Sequence, residues 1–331
     1  MKEADIRPES IFDEYLRLAA EDTKVYFSDV ERVDDFCPAC GGRGEPAIRK
    51  HGFVYELCPD CQTLYVNPRP AASAFAKYYT NSASSKYWAT TFYRETASAR
   101  REKIWKPKAN ALTALLKGCA NHEKWTVVDV GGGYGLFAEE IRSLLGGEPI
   151  VIEPAPHLAT VCREKSLTVI QKFLEEVLPS DIPVAPRAFV SFELFEHLHD
   201  PAQFLNHLNT LMEPRDLFVF TTLSGTGVDI QALWEDSKSV MPPHHLNFFN
   251  PYSIRILLER CGLECVDVST PGKLDIDILV NNYNQIKDRF WRTIISISSD
   301  TEKQRWQDVI SASGWSSHMM VVCKKPMSQE I

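Results

Sequence analysis

The sequence predicts an α/β protein: a doubly wound, mostly parallel sheet of seven strands, with a small metal-binding ribbon ahead of it. Three observations predict this. Short β-branched and aromatic runs alternate with amphipathic helical stretches from residue 125 onward. A glycine-rich turn, Gly131 to Gly135, follows the first of those runs. Four earlier cysteines fall in two C-x2-C pairs.

The 331 residues are 44% hydrophobic and 24% charged, which supplies enough apolar material for a core. The longest apolar runs reach five or six residues, far short of the roughly 20 a membrane helix needs. The first 25 residues mix charged and apolar positions and contain no signal-peptide pattern, so a cytoplasmic protein is expected. Nine cysteines in such a chain point to free thiols in a reducing compartment. Five of them, Cys119, Cys162, Cys261, Cys265 and Cys323, are expected to be plain buried thiols. A net charge of −8 disfavours nucleic acid, because phosphate contacts demand a basic face. The one basic stretch, Arg94 to Lys108, reads as a solvated helix face. The sequence carries no signal for oligomeric state.

Residues 1–34 form an N-terminal helical segment in this reading, with residues 11–19 as a short amphipathic helix. Residues 35–70 form the ribbon. Cys37 and Cys40 precede Cys58 and Cys61 by a spacer of seventeen residues, and two such knuckles converge four thiolates in the tetrahedral geometry that suits Zn²⁺. Gly41 and Gly42 allow backbone amides to face the sulfurs, whereas Gln62 stands where the second knuckle more often has glycine. HGFVYEL between the pairs alternates like a hairpin strand. Four cysteines leave no open position on the metal, so the zinc is expected to be structural. Val66 to Pro70 (VNPRP) is expected to stop regular structure, and residues 71–118 read as a helical linker or lid.

The core domain is placed at 119–325. Its strands are predicted at 125–130, 149–153, 167–170, 188–193, 217–222, 264–268 and 318–324, and a helical insert at 271–316 covers the pocket or adds to the core. The first strand ends in Asp129 and passes through Gly131, Gly132, Gly133, Tyr134 and Gly135 into the helix LFAEEIRSLL. This D-x-G-x-G-x-G is not the dinucleotide G-x-G-x-x-G; it suits an uncharged ribose and an amino-acid tail, and the sheet is Rossmann-like. Glu153, ending the second strand, is placed to accept hydrogen bonds from ribose hydroxyls.

VVDVGGGYG, VIEP and SFELFEHLHDP resemble the motifs of class I S-adenosylmethionine-dependent methyltransferases. CPACGG and ELCPDCQTLYVNPRP resemble the bacterial members that begin with a zinc ribbon, and PPHHLNFFNPYSIRILLERCGLE and TPGKLDID extend the similarity over roughly 35–325. The resemblance implies that Gly131, Gly133 and Gly135, with Asp129 and Tyr134 in the same turn, touch the methionine moiety and that Glu153 holds the ribose. It further implies that Lys172 and Phe173 flank the adenine, and that Phe192 and Glu193 border the methyl-transfer site. It fixes the donor better than the acceptor.

Methyl transfer from a sulfonium needs an aligned, deprotonated nucleophile, placed beyond the carboxyl ends of the strands. On a helical turn, Glu193, Glu196 and His197 would share one face through i, i+3 and i+4 spacing. The E-x-x-E-H pattern resembles the metal site of ubiquinone-pathway O-methyltransferases and of small-RNA 3′-end methyltransferases, where a downstream histidine completes the site; His244 or His245 stands in that place. Mg²⁺ or Mn²⁺ there would lower the pKa of an acceptor hydroxyl. The alternative is metal-free, with His245 or His197 as general base and Glu193 as a helix cap. The function expected first is O-methylation of a sugar, glycan or secondary-metabolite hydroxyl. The second is C-methylation of a nucleotide-linked keto-sugar, disfavoured by a chain that stops just after its seventh strand. The third is a non-catalytic zinc-ribbon binding protein.

Overall fold

The computed structural model describes residues 1–119, 124–184 and 186–327; residues 120–123, at the start of the expected core domain, residue 185, and residues 328–331 lie outside the described residues. The chain opens with α1 (Glu3–Ile6) and α2 (Glu9–Phe27), then β1 (Arg32–Val33). The helix expected at 11–19 is thus longer at both ends, because Phe12, Tyr15, Ala19 and Phe27 keep one buried face through five turns.

The ribbon comprises β2 (Glu45–Lys50), β3 (Phe53–Leu57) and β4 (Leu64–Val66), each antiparallel to the next. VNPRP does not end regular structure, as its last two residues form β5 (Arg69–Pro70), paired with β1. Next come α3 (Ala72–Asn81), α4 (Ala83–Tyr87), α5 (Tyr93–Arg100) and α6 (Lys106–Gly118), the last three joined without a break by π-type turns at Trp88–Phe92 and Arg101–Trp105. Single π turns inside a helix often mark functional positions.

The main sheet contains β6 (Thr126–Val130), β7 (Ile150–Ile152), β8 (Thr168–Ile170), β9 (Arg187–Phe192), β10 (Leu217–Leu223), β12 (Glu264–Ser269) and β13 (His318–Lys324). Their order is β12-β13-β10-β9-β6-β7-β8, and β13 alone runs antiparallel to its neighbours β10 and β12. The sheet is doubly covered, as its unbroken apolar strands require. Phe189, Phe218, Phe220 and Val321 pack against α9 (Pro201–Leu211) and α11 (Ser253–Arg260). Val127, Ala188, Val190 and Val219 face the other way, onto α6 and α7 (Leu136–Leu145). Alternate residues of one strand therefore serve opposite layers, each large side chain contributing roughly 1.5–3 kcal/mol of burial.

Between β12 and β13, α12 (Asp275–Asn281), α13 (Arg289–Ile297) and α14 (Asp300–Ala312) form their own apolar cluster with Leu233 of α10 (Val228–Leu233). The short β11 (Asn247–Phe248) lies in the loop after α10 but pairs with β4, which makes it the fourth strand of the ribbon sheet. No described helix is long and apolar enough to cross a membrane.

Candidate active site

The four ribbon cysteines converge. Their sulfurs lie within 4.8 Å of one another, with Cys37–Cys61 at 3.5 Å and Cys40–Cys58 at 3.4 Å. The Gly42 amide donates to Cys40 Sγ at 3.4 Å, and Thr63 Oγ1 sits 3.2 Å from Cys61 Sγ. The hydrogen bond between Cys37 and Cys61 lowers the Cys61 thiol toward the thiolate form a metal requires and raises Cys37, so the pair shares one negative charge. Cys37, Cys58 and Cys61 are buried, so the donor set fits a closed zinc site. Of the other thiols, Cys162, Cys261 and Cys323 are buried; Cys119 and Cys265 are only partly so.

At the head of the main sheet the turn after β6 is pinned by the Gly131 amide on the Ile152 carbonyl at 2.8 Å. A Cβ on Gly132 would stand 2.7 Å from Val151 Cγ1, and one on Gly131 would stand 2.8 Å from Leu194 Cδ2. Gly133 differs: at φ +56 it faces open space, with nothing within 4 Å of a Cβ. Glu153 accepts from the Gly133 amide at 3.0 Å and from the Ala155 amide at 2.9 Å, which leaves further lone pairs for a ligand. Asp129 is 3% exposed, and its Oδ2 has no hydrogen-bond partner. Burial, reinforced by the Glu153 charge, pushes its carboxyl up to about 7. Tyr134 stacks on Tyr93 at 3.9 Å and donates to the Ala89 carbonyl, so the helical run after α4 lies over the turn. Lys172 pairs with Asp181 at 2.7 Å and Phe173 is exposed, both just beyond β8.

Beyond β9 the predicted helical spacing fails. Glu193 takes a left-handed φ of +58 and only Phe195–His197 forms a 3-10 turn, so Glu193 does not share a face with Glu196 and His197. Its carboxylate instead accepts from Lys108 Nζ at 2.7 Å and Thr221 Oγ1 at 3.0 Å, 3.7 Å from His318 Nδ1. Burial opposes its charge, but Lys108 and His318 outweigh burial and hold the carboxyl well below the usual range. Glu193 is therefore not placed with the candidate metal ligands, a correction to the sequence expectation. Phe192 packs edge-on to Phe137, with Lys108 Nζ 4.9 Å from its ring centre.

Glu196, His197 and His245 do come together, with ligand atoms all within 4.8 Å. His197 Nδ1 lies 2.8 Å from the His244 carbonyl and His245 Nδ1 lies 2.6 Å from the Ser239 carbonyl. Each Nδ1 must donate, which leaves each Nε2 a lone pair for a proton or a metal. Burial, with the neighbouring His197, takes His245 down to about 3. Glu196 is 2% exposed with Oε2 unpartnered, and burial plus the Glu193 charge push its carboxyl up to about 8. An orphaned buried carboxylate beside two neutral imidazoles is a donor set that fits a divalent ion. His244 is outside this trio. Its Nε2 meets Tyr78 OH at 2.5 Å and its ring packs against Tyr15 and Tyr79, so it serves as structure.

Sequence reasoning missed Lys108, Tyr93, Arg100 and His318. The basic stretch held the signal, but it is only in part a solvated face: Arg94, Lys103 and Lys106 are exposed, whereas Lys108 reaches Glu193, Arg101 bridges Glu139 and Glu140 at 2.6 Å each, and Arg100 is buried.

The family described as a methyltransferase domain matches residues 90–268. A ubiquinone biosynthesis O-methyltransferase of Colwellia psychrerythraea is 26% identical over 159 residues, 43% of this chain and 62% of that protein. The chain thus spans less than two thirds of that relative's length. Among solved structures, the plantazolicin methyltransferase in complex with SAH aligns at a TM-score of 0.49 with 11% identity, over 76% of this chain and 94% of that one. The 1,6-didemethyltoxoflavin-N1-methyltransferase of Burkholderia thailandensis aligns at 0.47 with 11% identity, over 86% and 100%.

Proposed function

Because the chain belongs to the methyltransferase domain family, we propose that it transfers a methyl group from S-adenosylmethionine to a hydroxyl of a small-molecule or saccharide acceptor. The donor's amino-acid tail and ribose lie along Asp129, Gly131, Gly133, Tyr134 and Gly135, where Gly133 opens onto free space. Glu153, held by two backbone amides, turns its remaining lone pairs to the ribose hydroxyls, and Lys172 and Phe173 border the adenine. Phe192 and Glu193 flank the transferred methyl, with Lys108 keeping Glu193 ionised and fixed.

The observation that carries the acceptor reading is the buried trio of Glu196, His197 and His245. These residues would hold Mg²⁺ or Mn²⁺, which would supply a lowered pKa for an acceptor hydroxyl. Without a bound ion the same unprotonated Nε2 atoms are free to accept the departing proton instead, and Tyr15, Tyr78 and Trp88 pack beside the histidine loop. The ribbon carries a structural Zn²⁺ on Cys37, Cys40, Cys58 and Cys61.

Incubation with methyl-labelled S-adenosylmethionine, Mg²⁺ and a panel of polyhydroxylated acceptors tests this reading. Labelled methyl ethers are expected, reduced on adding a chelator or in Glu196→Gln. Label recovered only on carbon or nitrogen would contradict it.

A further inference from the structure

Three arginines are nearly fully buried, and two of them have hydrogen-bond partners for their guanidinium groups, although Arg69 Nε, like Arg100 Nε, has none. The Arg187 guanidinium donates twice to Asp216 Oδ2 and once to the Leu211 carbonyl, and Arg69 donates to the His199 carbonyl and Asn247 Oδ1. Arg100, 7% exposed, has neither kind of partner. Its Nε is buried without an acceptor, and among the described residues no carboxylate lies within ion-pair distance. What it has is the ring of Trp88, 5.9 Å from the guanidinium carbon, and the neighbourhood of Tyr93 and Glu193. Glu193 is the carboxylate whose charge reaches it, and Lys108 and Thr221 already occupy that group.

A second guanidinium adds to the imbalance. Arg7, 5.3 Å above the Phe12 ring, makes no ion pair among the described residues, and its charge is felt at Arg100, Tyr15, His245 and His318. Arg100 and Lys108 thus face one ionised carboxylate, Glu193, with the Arg7 charge close to Arg100. Burying a cation without a counter-charge is strongly unfavourable, and an anion from outside would relieve it. The surplus lies toward the histidines: Trp88, under Arg100, packs on Tyr15 at 4.7 Å, and Tyr15 packs on His244 at 5.4 Å. That is the side on which the acceptor stands in the proposed function.

We infer that Arg100, supported by Arg7, is a specificity-determining residue that binds an oxyanion, carboxylate or phosphate, carried by the acceptor. The inference rests on the methyltransferase reading and narrows its substrates to anionic hydroxylated molecules. Uncharged sugars and polyols lack the group that neutralises the site.

The donor also carries a carboxylate, so the test separates the two sources. The full chain is titrated calorimetrically with S-adenosylhomocysteine, and then, saturated with it, with inorganic phosphate in chloride-free buffer. The wild type is expected to bind both. Arg100→Gln is expected to weaken phosphate by about tenfold or more, the worth of a charge-assisted hydrogen bond, with Arg7→Gln weaker in effect and Arg100→Lys partly restoring binding. Affinity for S-adenosylhomocysteine is expected to stay unchanged. Because Gln removes an unpaired buried charge, the melting temperature without phosphate should hold or rise, which separates lost binding from lost folding. Phosphate binding that survives in Arg100→Gln would overturn the inference, and a loss confined to S-adenosylhomocysteine would overturn it by assigning Arg100 to the donor's tail. So would a wild type that binds S-adenosylhomocysteine and no phosphate. A wild type that does not bind S-adenosylhomocysteine would sink the underlying reading instead.

Discussion

The Tyr55 hydroxyl, in the ribbon strand β3, donates to the backbone carbonyl of His245 at 2.7 Å. Two further bonds stitch the same seam: the Val66 amide to the Leu246 carbonyl at 2.9 Å, and Asn250 Nδ2 to the Cys61 carbonyl at 2.8 Å. The ribbon and the histidine loop are thus one hydrogen-bonded sheet. Tyr55→Phe leaves a buried carbonyl without its donor, at a cost of about 1–3 kcal/mol. Chemical denaturation checks this, and an unchanged midpoint would contradict it.

The same seam sets what disruption of the cysteine cluster does. Cys40→Ser removes one sulfur from the four-thiolate set, and the ribbon is expected to loosen together with β11 and His245. Mn²⁺ binding followed by electron paramagnetic resonance should fall sharply, while S-adenosylhomocysteine still binds at the distant glycine turn. A mutant with full Mn²⁺ affinity would show that the histidine loop holds itself.

Neighbouring glycines should fail differently. Gly132→Ala places a Cβ 2.7 Å from Val151 and 2.8 Å from Asp129 Oδ2, so it should lower the melting temperature. Gly133→Ala meets nothing and carries only the left-handed strain, roughly 1–2 kcal/mol, yet its methyl would enter the space proposed for the donor. Thermal melts paired with donor titrations distinguish them. Equal effects of both on both readouts would contradict the assignment of Gly133 to the ligand.

Asp129 links the turn to pH. Its folded carboxyl is raised from 3.8 to about 7, by burial first and then by Glu153. A raised acid contributes stability that is fully present below its unfolded pKa and lost as pH rises through the folded one. The wild type should therefore lose stability between about pH 4 and 7. Asp129→Asn, which stays neutral, should flatten that fall in melting curves taken across the window. A mutant that tracks the wild type would exclude Asp129 as the source.

The sheet was legible because strands buried on both faces read as unbroken apolar runs; β13 matches its predicted span, and the other six differ at their ends by one residue at most. The cysteine knuckles were equally plain, because spacing alone brings four sulfurs together. What stayed hidden depends on distance along the chain. Lys108 and Glu193 are 85 residues apart, and the left-handed backbone at Glu193 leaves no periodic trace. β11 is two residues long, too short to show a period of two. Arg100 and its solvent-facing neighbours look alike as letters; only the folded helix decides which points inward.

The central claim is that the bend from Asp129 to Gly135 receives S-adenosylmethionine. Isothermal calorimetry of the wild type and Gly133→Val with S-adenosylhomocysteine tests it most directly. The account predicts saturable one-to-one binding by the wild type and none by the valine variant, both folded by circular dichroism. A folded wild type that does not bind S-adenosylhomocysteine, or a valine variant that binds it as tightly as the wild type, would contradict it.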